Sequence, residues 1–208
     1  MTLYYRPLVL AEGGGDALPL AGGAFWFRDV AVFGRNVPSF ITPAKDVPPV
    51  VLARLTAPRA PVAGLAMDRA RIMGILNVTP DSFSDGGDHA DQKAAVARAA
   101  NMQAEGAEII DIGGESTRPG AVTVATEEEI RRTAPVIRAI RAGSDVAISI
   151  DTRKAAVAEA AISAGATMVN DVAAFSYDPA LAQVTAASGL PVCLMHAQGD
   201  PATMQDHS

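Results

Sequence analysis

Glu108-Ile-Ile-Asp-Ile-Gly-Gly-Glu-Ser-Thr-Arg-Pro-Gly120 begins as a short apolar run and ends in glycine and polar residues. Its first part, Glu108–Ile112, reads as a strand covered on both faces, because it is apolar almost throughout. The same grammar recurs upstream in Arg71-Ile-Met-Gly-Ile-Leu-Asn77 and downstream in Val146–Ile150, Thr167–Asn170 and Pro191–Met195. Helix-favouring segments separate these runs. Ala90–Glu105 is rich in alanine, and Lys154–Ala164 is followed by Gly165, a residue suited to a left-handed helix end. Asp178-Pro179 supplies an N-cap and a first-turn proline for a helix that Gly189 ends. Thr126-Glu-Glu-Glu129 reads as a capping box opening a helix to about Ala142, with carboxylates at the positive end of its dipole. Pro135 lies inside that helix and is expected to kink it or shift its start.

Five strands joined by helices imply parallel pairing through right-handed crossovers. Periodicity alone does not separate a (β/α)8 barrel from an open doubly wound sheet. The polar residues say more. Each strand ends in them: Asn77, then Thr-Pro-Asp-Ser-Phe-Ser-Asp-Gly-Gly87; Asp111, then Gly113-Gly114; Asp151-Thr152; Asn170-Asp171; Met195-His196. The C-terminal edge of a parallel sheet is where ligands bind in such folds. One Asn or Asp there often does no more than cap the next helix, but five in register are hard to explain by capping. Gly86-Gly87 and Gly113-Gly114 let backbone approach a ligand closely. Arg118, between Thr117 and Pro119, is a semi-rigid guanidinium suited to an anion. Asn77 offers an oxygen suited to a hard cation carrying a diphosphate, or alternatively a turn before Thr-Pro.

Residues 1–70 differ in character. Leu3–Leu10 and Ala24–Phe33 are β-like, Gly13–Gly15 is a glycine cluster, and Pro43 to Pro61 is rich in proline and alanine. Two or three edge strands and a linker are expected, forming a small β-containing extension packed on a main domain that starts at Arg71. The whole chain has 208 residues, 49% hydrophobic and 19% charged, a globular balance. A net charge of −6 argues against a protein that coats nucleic acid. The single cysteine, Cys193, excludes an intramolecular disulfide framework and a thiolate zinc site within one chain. The N-terminus shows neither a signal peptide pattern nor a long apolar run, so a soluble cytoplasmic protein is expected, with no membrane or nucleic-acid partner.

Ile72-Met-Gly-Ile-Leu-Asn-Val-Thr-Pro-Asp-Ser-Phe-Ser-Asp-Gly-Gly87 and Asp111-Ile-Gly-Gly-Glu-Ser-Thr-Arg-Pro-Gly120 resemble the two signatures of the dihydropteroate synthase family. The likeness continues through Ser149-Ile-Asp-Thr152, Val169-Asn-Asp171 and Met195-His-x-x-Gly199, covering the chain from about Arg71 to its end. It implies a (β/α)8 TIM barrel with the site at its C-terminal mouth. The implied reaction condenses 6-hydroxymethyl-7,8-dihydropterin diphosphate with p-aminobenzoate, giving 7,8-dihydropteroate and diphosphate. Asp151 and Asn170 match residues that hold the pterin's amino-pyrimidine edge, and Met195 one that packs on its ring. Asn77 matches the Mg²⁺-linked diphosphate position. Phe83, Asp85, Thr117, Arg118 and Pro119 match loops that close over p-aminobenzoate and diphosphate, with Asp85 and Arg118 assigned to the chemistry. Asp111 and His196 stand in motif positions and are expected to support these groups indirectly.

An eight-stranded barrel takes roughly 250 residues, and the stretch from Arg71 supplies only five strands. The family's later motifs are absent from the sequence. The expectation is therefore a barrel truncated after about strand five, inactive by itself and a homodimer when full length. Two other readings share part of the pattern. A methyltetrahydrofolate–corrinoid methyltransferase would read a pterin similarly but has no use for the Ser-Thr-Arg-Pro loop, and a non-catalytic barrel would keep the fold alone.

Overall fold

The computed structural model describes residues 2–78, 88–116 and 121–196. The chain divides into two compact units, Met1–Ala70 and Arg71–Ser208. In the first unit, β1 (Leu3–Leu10), β2 (Leu18–Pro19), β3 (Trp26–Gly34) and β4 (Val37–Pro43) form an antiparallel sheet around β3. Strand β3 buries Phe27 and Val30 against Ala44 and Val47. The Pro43–Pro61 stretch, expected as a linker, instead contains a 3-10 turn at Ala44–Asp46 and α1 (Pro49–Thr56). Pro48 and Pro49 stand at the cap and first turn of α1, where a missing N–H costs nothing. Val51, Leu52 and Leu55 then pack on the Phe27 cluster. Proline density marked a helix start here rather than a break.

The second unit holds a five-stranded parallel sheet in sequential order: β5 (Met73–Asn77), β6 (Ile109–Gly113), β7 (Ala147–Asp151), β8 (Met168–Asp171) and β9 (Val192–Leu194). The strands do not interleave, as they would in a doubly wound sheet. Helices α2 (Asp88–Ala104), α3 (Thr126–Arg141), α4 (Ala155–Ala164) and α5 (Ala180–Ser188) fill the crossovers. Successive strands stand in register. Leu76, Ile112, Ile150, Val169 and Val192 form one cross-sheet row, and Asn77, Gly113, Asp151, Asn170 and Cys193 form the next. Side chains alternate between faces along a strand, so the two rows lie on opposite faces. Leu76, Ile112, Ile150 and Val169 of the apolar row pack with Ile110 and Ile148 against α2–α5, where Ala95, Ala99, Ala158, Ala161 and Ile137 complete the core. Small alanines let the helices sit close to the sheet.

Helix α3 corrects the capping-box reading. Its N-cap is Ala125, no side chain caps it, and Glu129 binds elsewhere. The helix also runs through Pro135 without ending. Gly165 and Gly189 close α4 and α5 in the left-handed region, with φ of 116° and 66°. Asp178 acts at two helix starts: its Oδ1 accepts from the Ala180 N–H and its Oδ2 from the Ala155 N–H at 2.8 Å.

Candidate functional site

The polar row at the C-terminal ends of β5–β8 is built around a missing side chain. A Cβ on Gly113 would lie 3.5 Å from Asp151 Oδ2 and 3.6 Å from Asn77 Oδ1. The two side chains therefore flank a gap above Gly113, and Asn170 stands beside Asp151 in the same row. The structure thus brings together Asn77, Asp151 and Asn170. Gly114 serves a different purpose from the close ligand approach expected of it. A Cβ there would fall 2.8 Å from Thr133 Cγ2 and 3.1 Å from Glu129 Cγ, so its bareness admits α3.

Asp151 is the electrostatic centre of the row. Its Oδ1 is buried with no hydrogen-bond partner among the described residues. Burial, then the charges of Asp111, Glu129, Asp171 and Glu115, raise its pKa to about 7. A carboxyl held in this state is an acceptor short of donors. Asp111, one row deeper on β6, is also pushed up by burial, against the opposing influence of Ser149 and Asn170. Asn170 Nδ2 donates to Asp111 Oδ2 at 3.1 Å, whereas the Ser149 hydroxyl lies outside hydrogen-bonding geometry. Asp111 therefore supports Asn170 from beneath.

Other strand-end residues turn to local work. Asp171 is fully buried and accepts from the N–H groups of Ala173 and Phe175 at 2.8 and 2.6 Å. It stabilises a turn in which Ala174 and Phe175 both have positive φ, 48° and 64°. Met195 follows β9, half-exposed, with its N–H on the Asp171 carbonyl. His196 and Cys193 are exposed. Phe83, Asp85, Thr117, Arg118 and Pro119 lie outside the described residues. Among the described residues no three His, Cys, Asp or Glu side chains gather as a metal cluster, and no helix is long and apolar enough to cross a membrane.

Sequence reasoning missed a buried ionic knot behind this row. Lys154 Nζ donates to Glu115 Oε2 at 2.8 Å, Glu129 Oε2 at 2.7 Å and the Val124 carbonyl at 2.6 Å. Thr152 Oγ1 donates to Glu129 Oε1, and Arg153 Nη2 to Glu115 Oε1. Arg153 also lies over the Tyr177 ring, 4.1 Å from its centroid. Burial would raise the Glu115 pKa, but Lys154, Arg153 and the Val124 N–H outweigh it and hold the group down. Burial would likewise lower Lys154, but its two carboxylate partners raise it. The available signal was the charged run Asp151-Thr-Arg-Lys154 at a strand end, where solvated residues would be unremarkable.

A model described as pterin binding enzyme matches residues 73–208. The chain is 49% identical over 152 residues to the dihydropteroate synthase of Synechocystis, covering 72% of this chain and 53% of that protein. Among solved structures it resembles Xanthomonas albilineans dihydropteroate synthase with 4-aminobenzoic acid, at 52% identity and TM-score 0.62, covering 66% of this chain and 50% of that one. It also resembles the Yersinia pestis dihydropteroate synthase in a sulfonamide drug complex, at 50% identity and TM-score 0.63, covering 72% and 54%. The chain spans about half the length of these relatives. The match over most of the chain, falling on the unit that carries the polar row, makes this protein a member of the pterin binding enzyme family.

Proposed function

We propose that this chain is the pterin-holding part of a dihydropteroate synthase, which joins 6-hydroxymethyl-7,8-dihydropterin diphosphate to p-aminobenzoate and releases diphosphate. The observation that carries this reading is the row Asn77–Gly113–Asp151–Asn170, with a buried carboxylate oxygen lacking a donor beside a bare glycine. An amino-pyrimidine edge supplies adjacent N–H donors and a ring acceptor. Asp151 accepts from the donors, and Asn170, with one Nδ2 hydrogen on Asp111, keeps its second N–H for the ring acceptor and its amide oxygen for a donor. Met195 packs on the ring. The relatives named dihydropteroate synthase support the reaction class.

In this reading the five parallel strands are the first five of a (β/α)8 barrel, and residues 1–70 form a β-containing extension to it. The C–O bond to diphosphate breaks first, and the pterin ring shares the positive charge of the methylene. The arylamine nitrogen then forms the C–N bond and loses its proton. The protein needs no nucleophile for this. It must hold the pterin, receive the departing anion and keep water from the cation. Asp85 and Arg118 are assigned to the anion and the closing of the site. Phe83, Thr117 and Pro119 are assigned to p-aminobenzoate, the position that sulfonamides would share. A Mg²⁺ ion fits the donors present: Asn77 gives one neutral hard oxygen beside Asp151, which suits a cation held mainly by diphosphate and water. When bound, that ion would neutralise charge on the leaving diphosphate. The working protein is a cytoplasmic homodimer.

The test is formation of dihydropteroate from pterin diphosphate and p-aminobenzoate by the intact protein. Product that requires both substrates and is blocked by a sulfonamide supports the reading. Pterin binding without condensation would replace it with a different pterin chemistry.

A further inference from the structure

The knot around Lys154 has a geometry that stability alone does not require. All three ammonium donors are used, on Glu115, Glu129 and the Val124 carbonyl. Glu115 Oε2 also accepts the Val124 N–H at 2.7 Å. Both backbone groups of Val124 are therefore held, one by Glu115 and one by Lys154. Glu115 directly precedes the connection 116–123, and Val124 directly follows it. A single buried ammonium thus ties together the point where this connection leaves β6 and the point where it rejoins the fold before α3. Lys154 itself is three residues beyond Asp151. Burying two carboxylates with a lysine and an arginine costs desolvation that apolar side chains of similar size avoid, so the arrangement is a weak source of stability. What it supplies is a fixed position.

We propose that Lys154, with Glu115, is a positioning residue for the arylamine half of the reaction: it fixes both ends of the 116–123 connection to the strand end that carries the pterin carboxylate. The proposal rests on the dihydropteroate synthase reading, since Thr117, Arg118 and Pro119 belong to that connection by sequence. Asp151 keeps its place without Lys154, because the β7 ladder to β6 and β8 holds it. The knot is therefore specific to one of the two substrates. A displacement of about 1 Å in a positioning element can cost on the order of a hundredfold in rate.

The experiment is steady-state kinetics of the intact protein carrying Lys154→Met, with thermal melting recorded alongside. KM for p-aminobenzoate should rise by about tenfold or more, while KM for pterin diphosphate changes by less than about threefold. In Lys154→Ala, added propylammonium should recover part of the p-aminobenzoate affinity, which a global loss of stability would not allow. Equal rises in both KM values, or no change in either, would overturn the proposal. Should Lys154→Met fail to fold, Glu115→Gln keeps the shape but leaves one acceptor oxygen where Arg153, Lys154 and Val124 need two, and the same split, reduced to about threefold, is expected; a ratio equal to wild type would overturn it. Wild-type protein with no condensation activity would instead sink the functional reading. The tether is then read by amide exchange of Val124 in Met1–Ser208, which should quicken at least about tenfold in Lys154→Met; unchanged exchange would remove the tether as well.

Discussion

Asn170 donates one Nδ2 hydrogen to Asp111 Oδ2 at 3.1 Å, and this bond fixes the orientation of the amide toward a ligand. With one Nδ2 hydrogen engaged below, Oδ1 and the second N–H are left for a ligand. Asp111→Ala removes the support and lets the amide turn. Pterin affinity should fall about tenfold, the worth of one buried hydrogen bond. Asp111→Asn keeps an acceptor for Nδ2 and should lose less. Calorimetric titration of the intact protein reads both, and an alanine variant with wild-type affinity would show that Asn170 needs no support.

Gly113 and Gly114 should respond differently to a single methyl group. At Gly114 the new Cβ would fall 2.8 Å from Thr133 Cγ2, so Gly114→Ala pushes α3 away and should cost about 1–3 kcal/mol of stability. At Gly113 the nearest atoms are at 3.5 and 3.6 Å, ordinary contact distances, so Gly113→Ala should fold normally. Its methyl would nevertheless sit between Asn77 and Asp151, and pterin binding should weaken at least tenfold. Denaturant melts and calorimetry separate the two, and a matched loss of stability in both variants would contradict the assignment.

The raised pKa of Asp151 makes stability depend on pH in the direction opposite to most carboxylates. Its folded-state value, about 7, lies above its ordinary value of 3.8. The folded protein therefore binds this proton more tightly than the unfolded chain does. Its contribution is fully present below about pH 4 and is lost as pH rises to about 7, at about 1.4 kcal/mol per pH unit. Asp151→Asn removes this slope. The variant should gain on wild type steadily from pH 4 to 7 in urea unfolding, and a constant difference across that range would show that Asp151 is not desolvated.

Much of the sheet could be read from sequence because its strands are short apolar runs, and β5, β7 and β8 end in polar residues. Asn77, Asp151 and Asn170 end their strands where expected, and in-register parallel pairing brings them into one row. The misreadings have physical causes. Pro48-Pro49 looks like a break, yet proline is well accommodated at a helix start, and α1 begins there. Thr126-Glu-Glu-Glu129 has the spacing of a capping box, but Lys154 and Thr152 offer Glu129 stronger partners than the helix's own N–H groups. Glu115, Glu129 and Lys154 are far apart in the chain. They meet only because β6 and β7 are neighbours, which no local pattern encodes.

The proposed role of Asp151 is to hold a pterin. The most direct measurement is calorimetric titration of the intact protein with 6-hydroxymethyl-7,8-dihydropterin diphosphate at pH 8, where the carboxylate is charged, comparing wild type with Asp151→Ala. Affinity should fall by at least about a hundredfold, since the donors of the ligand would be left buried without an acceptor, while the variant melts at or above the wild-type temperature. Wild-type affinity in Asp151→Ala would contradict that role.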